Sequence, residues 1–211
     1  MHALPPHERH ELHLQKVSQQ LLATWSDQNP ATTLRSTLVD ILALLDSEVM
    51  PDLAISASIS IFTARTNSFA VGEAIGPLAK FFRVHPPHAD GIASYVTQTK
   101  QPLFVNDVMD WPAGVPVLRP ALLDEFGIRS LAHLPLLAGQ PGQEITVGAL
   151  LIYLPVQHIF SEEEKIAIGI FAAQAAIAAQ NAWVYGRQLR EQAALRAISS
   201  TAANMDPNQV S

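Results

Sequence analysis

Histidine is the side chain best placed to do chemistry in this sequence. His7, His10 and His13 recur every third residue and could share one helix face. His85 and His88 flank two prolines, and His133 sits inside an apolar run, where Asp107 is an acid that could be paired with it. A metal reading of the first trio fails on its partners: no carboxylate or further ligand is placed to complete a shell. A solvated polar helix face is the simpler reading. His85-Pro86-Pro87-His88 reads as a rigid extended surface linker. Asp107 reads as the cap of a local turn, and His133 as a satisfied core histidine rather than a base. Cysteine is absent. That excludes disulfides, thiolate metal sites and cysteine nucleophiles, and fits a cytoplasmic location. No glycine-rich phosphate loop, metal-binding helix motif or nucleophile elbow occurs. An enzyme is therefore not expected, and neither a catalytic residue nor a metal ligand is assigned.

The elements that must hold these residues centre on 127–185. Two apolar segments, about Ser130 to Leu137 and Thr146 to Leu154, flank Gly139-Gln140-Pro141-Gly142-Gln143, a dense turn signal that predicts an antiparallel hairpin. A long helix follows from Ser161. Ser161 and Glu164 are spaced for a reciprocal capping box, and Glu162, Glu163 and Glu164 suit the positive end of the helix dipole. Ile166, Ile170, Ala173, Ile177 and Val184 form one stripe at helical spacing. The alanines around it permit close backbone approach. Such a helix must cover something: the hairpin's sheet on one side, with its own copy in a dimer as a second possibility.

Upstream, Leu12, Leu14, Val17, Leu21, Leu22 and Trp25 mark a first amphipathic helix within 1–28, and Leu34, Leu38, Ile41, Leu42 and Leu45 a second, about 31–46. Leu53 to Thr63 alternates, with Ile55, Ala57, Ile59 and Ile61 opposite Ser56, Ser58 and Ser60. The serine face is either solvent-exposed or lines a polar pocket. Phe69 to Ile75 completes a hairpin, and Lys80 to Val84 reads as a short extended piece. Asp90 is placed to cap a helix over Gly91 to Thr99. Pro102 to Asp107 reads as a third strand, and a long irregular region, Val108 to Pro120, leads to one helical turn at Ala121 to Phe126. After Tyr185-Gly186 a helical pattern continues to about Thr201, and Met205-Asp206-Pro207 ends it. The end at Ser211 reads as a cut within a longer protein.

Hydrophobic residues make up 48% of the 211 and charged ones 15%, enough for a sizeable core. The net charge of −6, with 13 Lys and Arg and no basic run, argues against nucleic acid as a partner. No apolar run reaches the roughly 18 residues a membrane span needs, so no membrane contact is expected.

The order of Gly127-Ile128-Arg129-Ser130, a strand with Pro135-Leu136, a polar turn, a strand led by Gly148, Phe160-Ser161-Glu162-Glu163-Glu164 and an alanine-rich helix to Gln180-Asn181-Ala182 resembles the C-terminal half of a GAF domain. The likeness extends over about Asn29 to Asn181, including Gly91-Ile92 before Gln101-Pro102-Leu103 and Asn106-Asp107. The resemblance implies an α+β fold: a central antiparallel sheet, N- and C-terminal helices on one face and a loop-framed pocket on the other, bounded by residues 80–130. It implies a sensory domain at 29–182, between an N-terminal signalling or dimerisation helix at 1–28 and a helical linker at 183–211. The expected role is a regulatory domain of a bacterial-type signalling protein such as a two-component histidine kinase. It would bind an unidentified small molecule and form a homodimer through its terminal helices; a ligand-free dimerisation and relay module is the alternative. The cofactor is unassigned: bilin-binding and methionine-sulfoxide-reducing members use cysteine, the cyclic-nucleotide set has no placed counterpart, and His85, His88 and His133 match no family iron site. The residues expected to face the implied pocket are Phe82, Tyr95, Phe104, Trp111, His133 and Tyr153. Arg129 is expected either to hold an anionic ligand or to pair with Asp124 or Glu125.

Overall fold

The computed structural model describes residues 30–49, 54–117 and 119–181, the side chains of 30 and 46–49 apart. The expected helix before residue 29, with its histidine trio, and the expected continuation past residue 181 lie outside the described residues.

The chain runs α1 (Pro30–Val49), β1 (Ser56–Thr63), β2 (Ser68–Ile75), α2 (Ala79–Val84), α3 (Ile92–Thr99), β3 (Leu103–Val105), α4 (Pro120–Asp124), β4 (Ser130–Ala138) and β5 (Ile145–Leu154). A last helix, α5, covers residues 162–181. The strands form one antiparallel sheet in the order β2-β1-β5-β4-β3. Period-two alternation sends successive side chains of each strand to opposite faces, so the sheet has two distinct cores. On one face Ile59, Leu134, Leu136, Leu150 and Ile152 pack with Leu38, Ile41 and Leu45 of α1 and with Ile168, Phe171, Ala172 and Ala175 of α5. On the other, Leu131, Leu151 and Tyr153 pack with Leu78, Phe82, Ile92, Val96 and Leu122. This is the α+β architecture expected, with the helices of both ends on one side.

Gly148 is required where β5 crosses β1. A Cβ there would run into the backbone carbonyl of Ser60 and crowd Leu136, and the absence of one lets the central strands close.

Three local readings are corrected, and one left open is decided. Residues 80–84 are helical, within α2, because Phe82 must turn into the sheet. Asp90 does not cap α3; Gly91 occupies the cap position in extended geometry, with no side-chain hydrogen bond. The third strand shrinks to three residues, since only Leu103–Val105 pairs with β4. The stripe read on the last helix is not its sheet-facing side. Ile166 and Ile177 are 63% and 40% exposed and Ala173 is exposed, while Ala167, Ile168, Phe171, Ala172, Ala175, Ala176, Ala178 and Ala179 are buried. Alanine makes up most of the seam, around Ile168 and Phe171, because the small side chain lets α5 lie close to the sheet and α1.

The start of α5 is held as expected. The Glu164 amide donates to the Ser161 hydroxyl (3.1 Å), and the Ser161 amide donates to Glu164 Oε2 (2.7 Å). His158 Nε2 lies 2.8 Å from Glu164 Oε1. Burial pushes the Glu164 carboxyl up, but the His158 and Ser161 hydrogen bonds outweigh it and leave it below its ordinary value. Asn106 ties the approach to the pocket side: its carbonyl accepts from the His158 amide (3.2 Å) and its Oδ1 from the Phe160 amide (3.3 Å). No helix among the described residues is long and apolar enough to cross a membrane.

Candidate ligand-binding site

The sheet face opposite α1 and α5 carries a cavity of about 370 Å³. Its floor is His133, Leu151 and Tyr153, contributed by the two most central pocket-side strands. Leu131 stands opposite Tyr153 and His133 opposite Leu151 in the β4–β5 register, so His133 and Tyr153 are diagonal neighbours on one face. Their rings meet edge to face with centroids 5.0 Å apart. Phe82 of α2 stacks on Tyr153 at 5.3 Å. The walls come from α2, the 85–91 loop, the start of α3, Pro116, Val117, Arg119 and Leu122 of α4. They are mainly apolar, with polar groups at the rim: His85, His88, Asp90 and Arg119.

His133 is the anomaly of this site. It is 1% exposed, and neither ring nitrogen has a hydrogen-bond partner among the described residues. The satisfied core histidine expected of this position is therefore not what the fold contains. Leaving a buried polar group unpaired costs about 1–3 kcal/mol, and burial lowers the imidazole's pKa to about 3. The ring is thus neutral at physiological pH, with one donor and one acceptor unused. Burial pushes the Tyr153 phenol up, against the smaller opposing influence of the Arg119 charge, so it too is neutral.

Arg119 bridges the loop on the rim. Its Nη1 donates to the His85 carbonyl (3.3 Å) and its Nη2 to the Pro86 carbonyl (2.7 Å). No acidic side chain forms an ion pair with it among the described residues. It stands immediately before Pro120, at the N-cap of α4, where no periodicity marks it as special.

Of the residues expected to face a pocket, Phe82, His133 and Tyr153 are brought together here. The other four are not in its lining. Tyr95 is half-buried on α3 against the surrounding core. Trp111 is half-buried and donates from Nε1 to the Val115 carbonyl (3.2 Å), bracing the loop on itself. Phe104 points to the opposite face, 5.3 Å from Phe160, with the Lys165 ammonium 5.9 Å from its ring centre. It alternates out of the cavity because His133's neighbour in the ladder is Leu103. Arg129 pairs at the surface with Asp107 (3.1 Å), not with Asp124 or Glu125. Asp107 does cap a turn, accepting from the Met109 amide (3.0 Å). That bond, with help from Arg129 and against partial desolvation, holds its carboxyl below the ordinary range. Phe81, Pro87, Leu122 and Arg119 were not legible as lining residues, since each sits on a short element whose orientation is set by contacts distant in sequence.

The serine row of β1 is neither exposed nor in the cavity lining. Ser56, Ser58 and Ser60 are buried on the cavity side, where Ser56 accepts from the Leu78 amide (3.0 Å) and the Ser58 and Ser60 hydroxyls have no partner among the described residues. Among the described residues no group of three or more His, Cys, Asp and Glu side chains is arranged to hold a metal ion.

Residues 29–179 match the GAF domain family. The fold is shared with the GAF domain of a phosphoenolpyruvate-protein phosphotransferase from Coxiella burnetii, with a TM-score of 0.66 and 19% identity over 87% of this chain and 99% of that one. It is also shared with free methionine-R-sulfoxide reductase from Neisseria meningitidis in complex with its substrate (TM-score 0.62, 15% identity, 88% and 99% covered). A domain of a putative two-component sensor histidine kinase from Sinorhizobium meliloti has a TM-score of 0.55 and 20% identity, with 77% of this chain and 99% of that one covered. At these identities the likeness is one of fold. No curated protein matches the chain.

Proposed function

The chain belongs to the GAF domain family, and from that premise we propose that it is a sensory domain that binds a small molecule in the 370 Å³ cavity and reports it through its terminal helices. The observation that carries this reading is His133: a buried ring with two unpaired nitrogens at the floor of a cavity. A ligand that pairs with it would relieve a cost the empty fold bears.

The relay has a physical route. His133 and Tyr153 face the cavity, while their strand neighbours Leu134, Ile152 and Leu154 face the core shared with α1 and α5. Displacement of β4 or β5 by a ligand therefore reaches α5 through one layer of side chains, and Asn106 links the pocket-side strand β3 to the α5 cap. A ligand shifts the balance of two helix arrangements only by its difference in affinity for them, and about 1.4 kcal/mol is tenfold. The domain is regulatory rather than enzymatic in this proposal, cytoplasmic, and bounded at about residues 29 and 182 by helical segments. The reductase of similar fold leaves this chain's own chemistry to be judged by its residues, and cysteine is absent from them.

Native mass spectrometry of freshly purified protein, beside a denatured control, tests the ligand part. An added mass that leaves on denaturation supports it. Protein that is bare and whose melting temperature no metabolite extract shifts would refute it. The second reading, a ligand-free dimerisation and relay module, draws on the exposed Ile166, Ala173 and Ile177 face of α5. A monomer at micromolar concentration would exclude that module and remove the homodimer from the sensory reading.

A further inference from the structure

The cavity's two ends differ in chemistry, and that difference selects a ligand. At the rim stands Arg119, a half-buried cation whose hydrogen bonds go to backbone carbonyls and which no acidic side chain neutralises among the described residues. Two of its five N–H groups are used, so the rest of the fork is available. Beside it the N-terminus of α3, an eight-residue helix, faces the same space: Gly91, Ile92 and Ala93 line the cavity, no side-chain hydrogen bond caps the helix, and of these three only the Gly91 amide is engaged, by the His88 carbonyl (3.2 Å), among the described residues. Uncapped first-turn amides and the positive end of the helix dipole favour an anion. At the floor is His133, buried with both ring nitrogens unpaired. Between the ends the lining is apolar, with Phe81, Phe82, Ile92, Leu122 and Leu151.

We infer that the cavity takes a small carboxylic acid with an apolar, ring-sized body, its carboxylate held by Arg119 and the α3 amides and a hydroxyl or amide at its far end bonded to His133. The inference rests on the reading of the cavity as a ligand site. A monoanion fits better than a phosphate dianion. One guanidinium is the only permanent cation in the lining, the exposed Asp90 carboxylate shares the rim, and the floor supplies no second positive charge. Size agrees as well. A cavity of about 150 Å³ holds benzene, so the space here suits one substituted ring or a body of similar bulk.

The test uses the full chain and matched probes: 4-hydroxybenzoate, benzoate, 4-hydroxybenzamide and inorganic phosphate, each titrated at millimolar concentration while the His133 ring signals are followed by NMR. The expected order is 4-hydroxybenzoate tightest, benzoate weaker by several-fold for want of the hydroxyl, and the uncharged amide weaker by about tenfold. Arg119→Gln should abolish the preference for acid over amide and keep the preference for the hydroxyl. His133→Phe, followed through the Tyr153 ring, should do the reverse. These crossed losses distinguish recognition from a general loss of fold, which circular dichroism of each variant checks. An amide bound as tightly as its acid would overturn the inference and leave the cavity a ligand site. Phosphate competing as well as the acid through Arg119 would overturn the carboxylate assignment. If no probe, charged or neutral, moved the His133 signals, the inference would fail for this ligand class; if metabolite extracts then failed as well, the reading of the site would fail with it.

Discussion

Lowering the pH should destabilise this fold specifically through His133, by an amount that follows from its burial. In the unfolded chain its imidazole titrates near the ordinary 6.5, and in the fold near 3. Between those values the unfolded state binds one more proton than the folded state, so stability rises with pH there. The contribution is fully present above 6.5 and is lost as pH falls toward 3, at about 1.4 kcal/mol per pH unit. From pH 7.5 to pH 5, only the part below 6.5 counts, and the loss attributable to this residue is about 2 kcal/mol. Other titrating groups contribute to the raw pH dependence, so the perturbation is a pair: the wild type and His133→Phe, each at both pH values. Phenylalanine cannot take up the proton, and it removes two unpaired nitrogens, which makes the change nearly neutral or stabilising at pH 7.5. Urea unfolding followed by circular dichroism should show the variant gaining about 2 kcal/mol on the wild type between pH 7.5 and 5. By melting temperature the same gain is roughly 4–8 °C for a domain of this size. A wild type–variant difference that stays constant across the two pH values would refute the reasoning, since it would mean that the ring is solvated, paired or already charged in the fold.

Four further outcomes follow from the geometry. Ser161→Ala removes the hydroxyl that accepts from the Glu164 amide and should cost about 1 kcal/mol in urea unfolding. Glu164→Gln should flatten the acid limb below about pH 4.5: a carboxyl held below its ordinary value stabilises above that value and loses the contribution as pH falls through its folded pKa. Gly148→Ala, which drives a methyl group into the Ser60 carbonyl, should cost on the order of 1–3 kcal/mol, whereas Arg129→Ala, at an exposed ion pair with Asp107, should change stability by less than about 1 kcal/mol and leave probe binding at the cavity unaltered.

Much of the fold was legible because its signals are local. The alternation of β1, the Gly139-Gln140-Pro141-Gly142 turn between β4 and β5 and the Ser161–Glu164 capping box each need only neighbours in sequence, and each is found in the structure. Which side of α5 meets the sheet was left open by its stripe of isoleucines. Alanine fills most of the seam against α1 and the sheet, with Ile168 and Phe171 set into it, while Ile166 and Ile177 face outward. Residues 80–84 were misread because a run of five is too short for periodicity to separate strand from helix.

By itself the sequence determined the element types apart from residues 80–84, their order and the antiparallel hairpin pairs, since hydrophobic period, turn chemistry and capping act over a few residues. Phe82, His133 and Tyr153 could be named from it as aromatic or polar groups on the right elements. Only the tertiary structure decided that they share one cavity, that Phe104 faces away from it, that Arg119 guards its rim and that His133 is left without a partner. Those facts depend on strand register and on how short helices lie across the sheet. A one-residue slip in register exchanges the two faces of a strand, and no local pattern records which way that choice went.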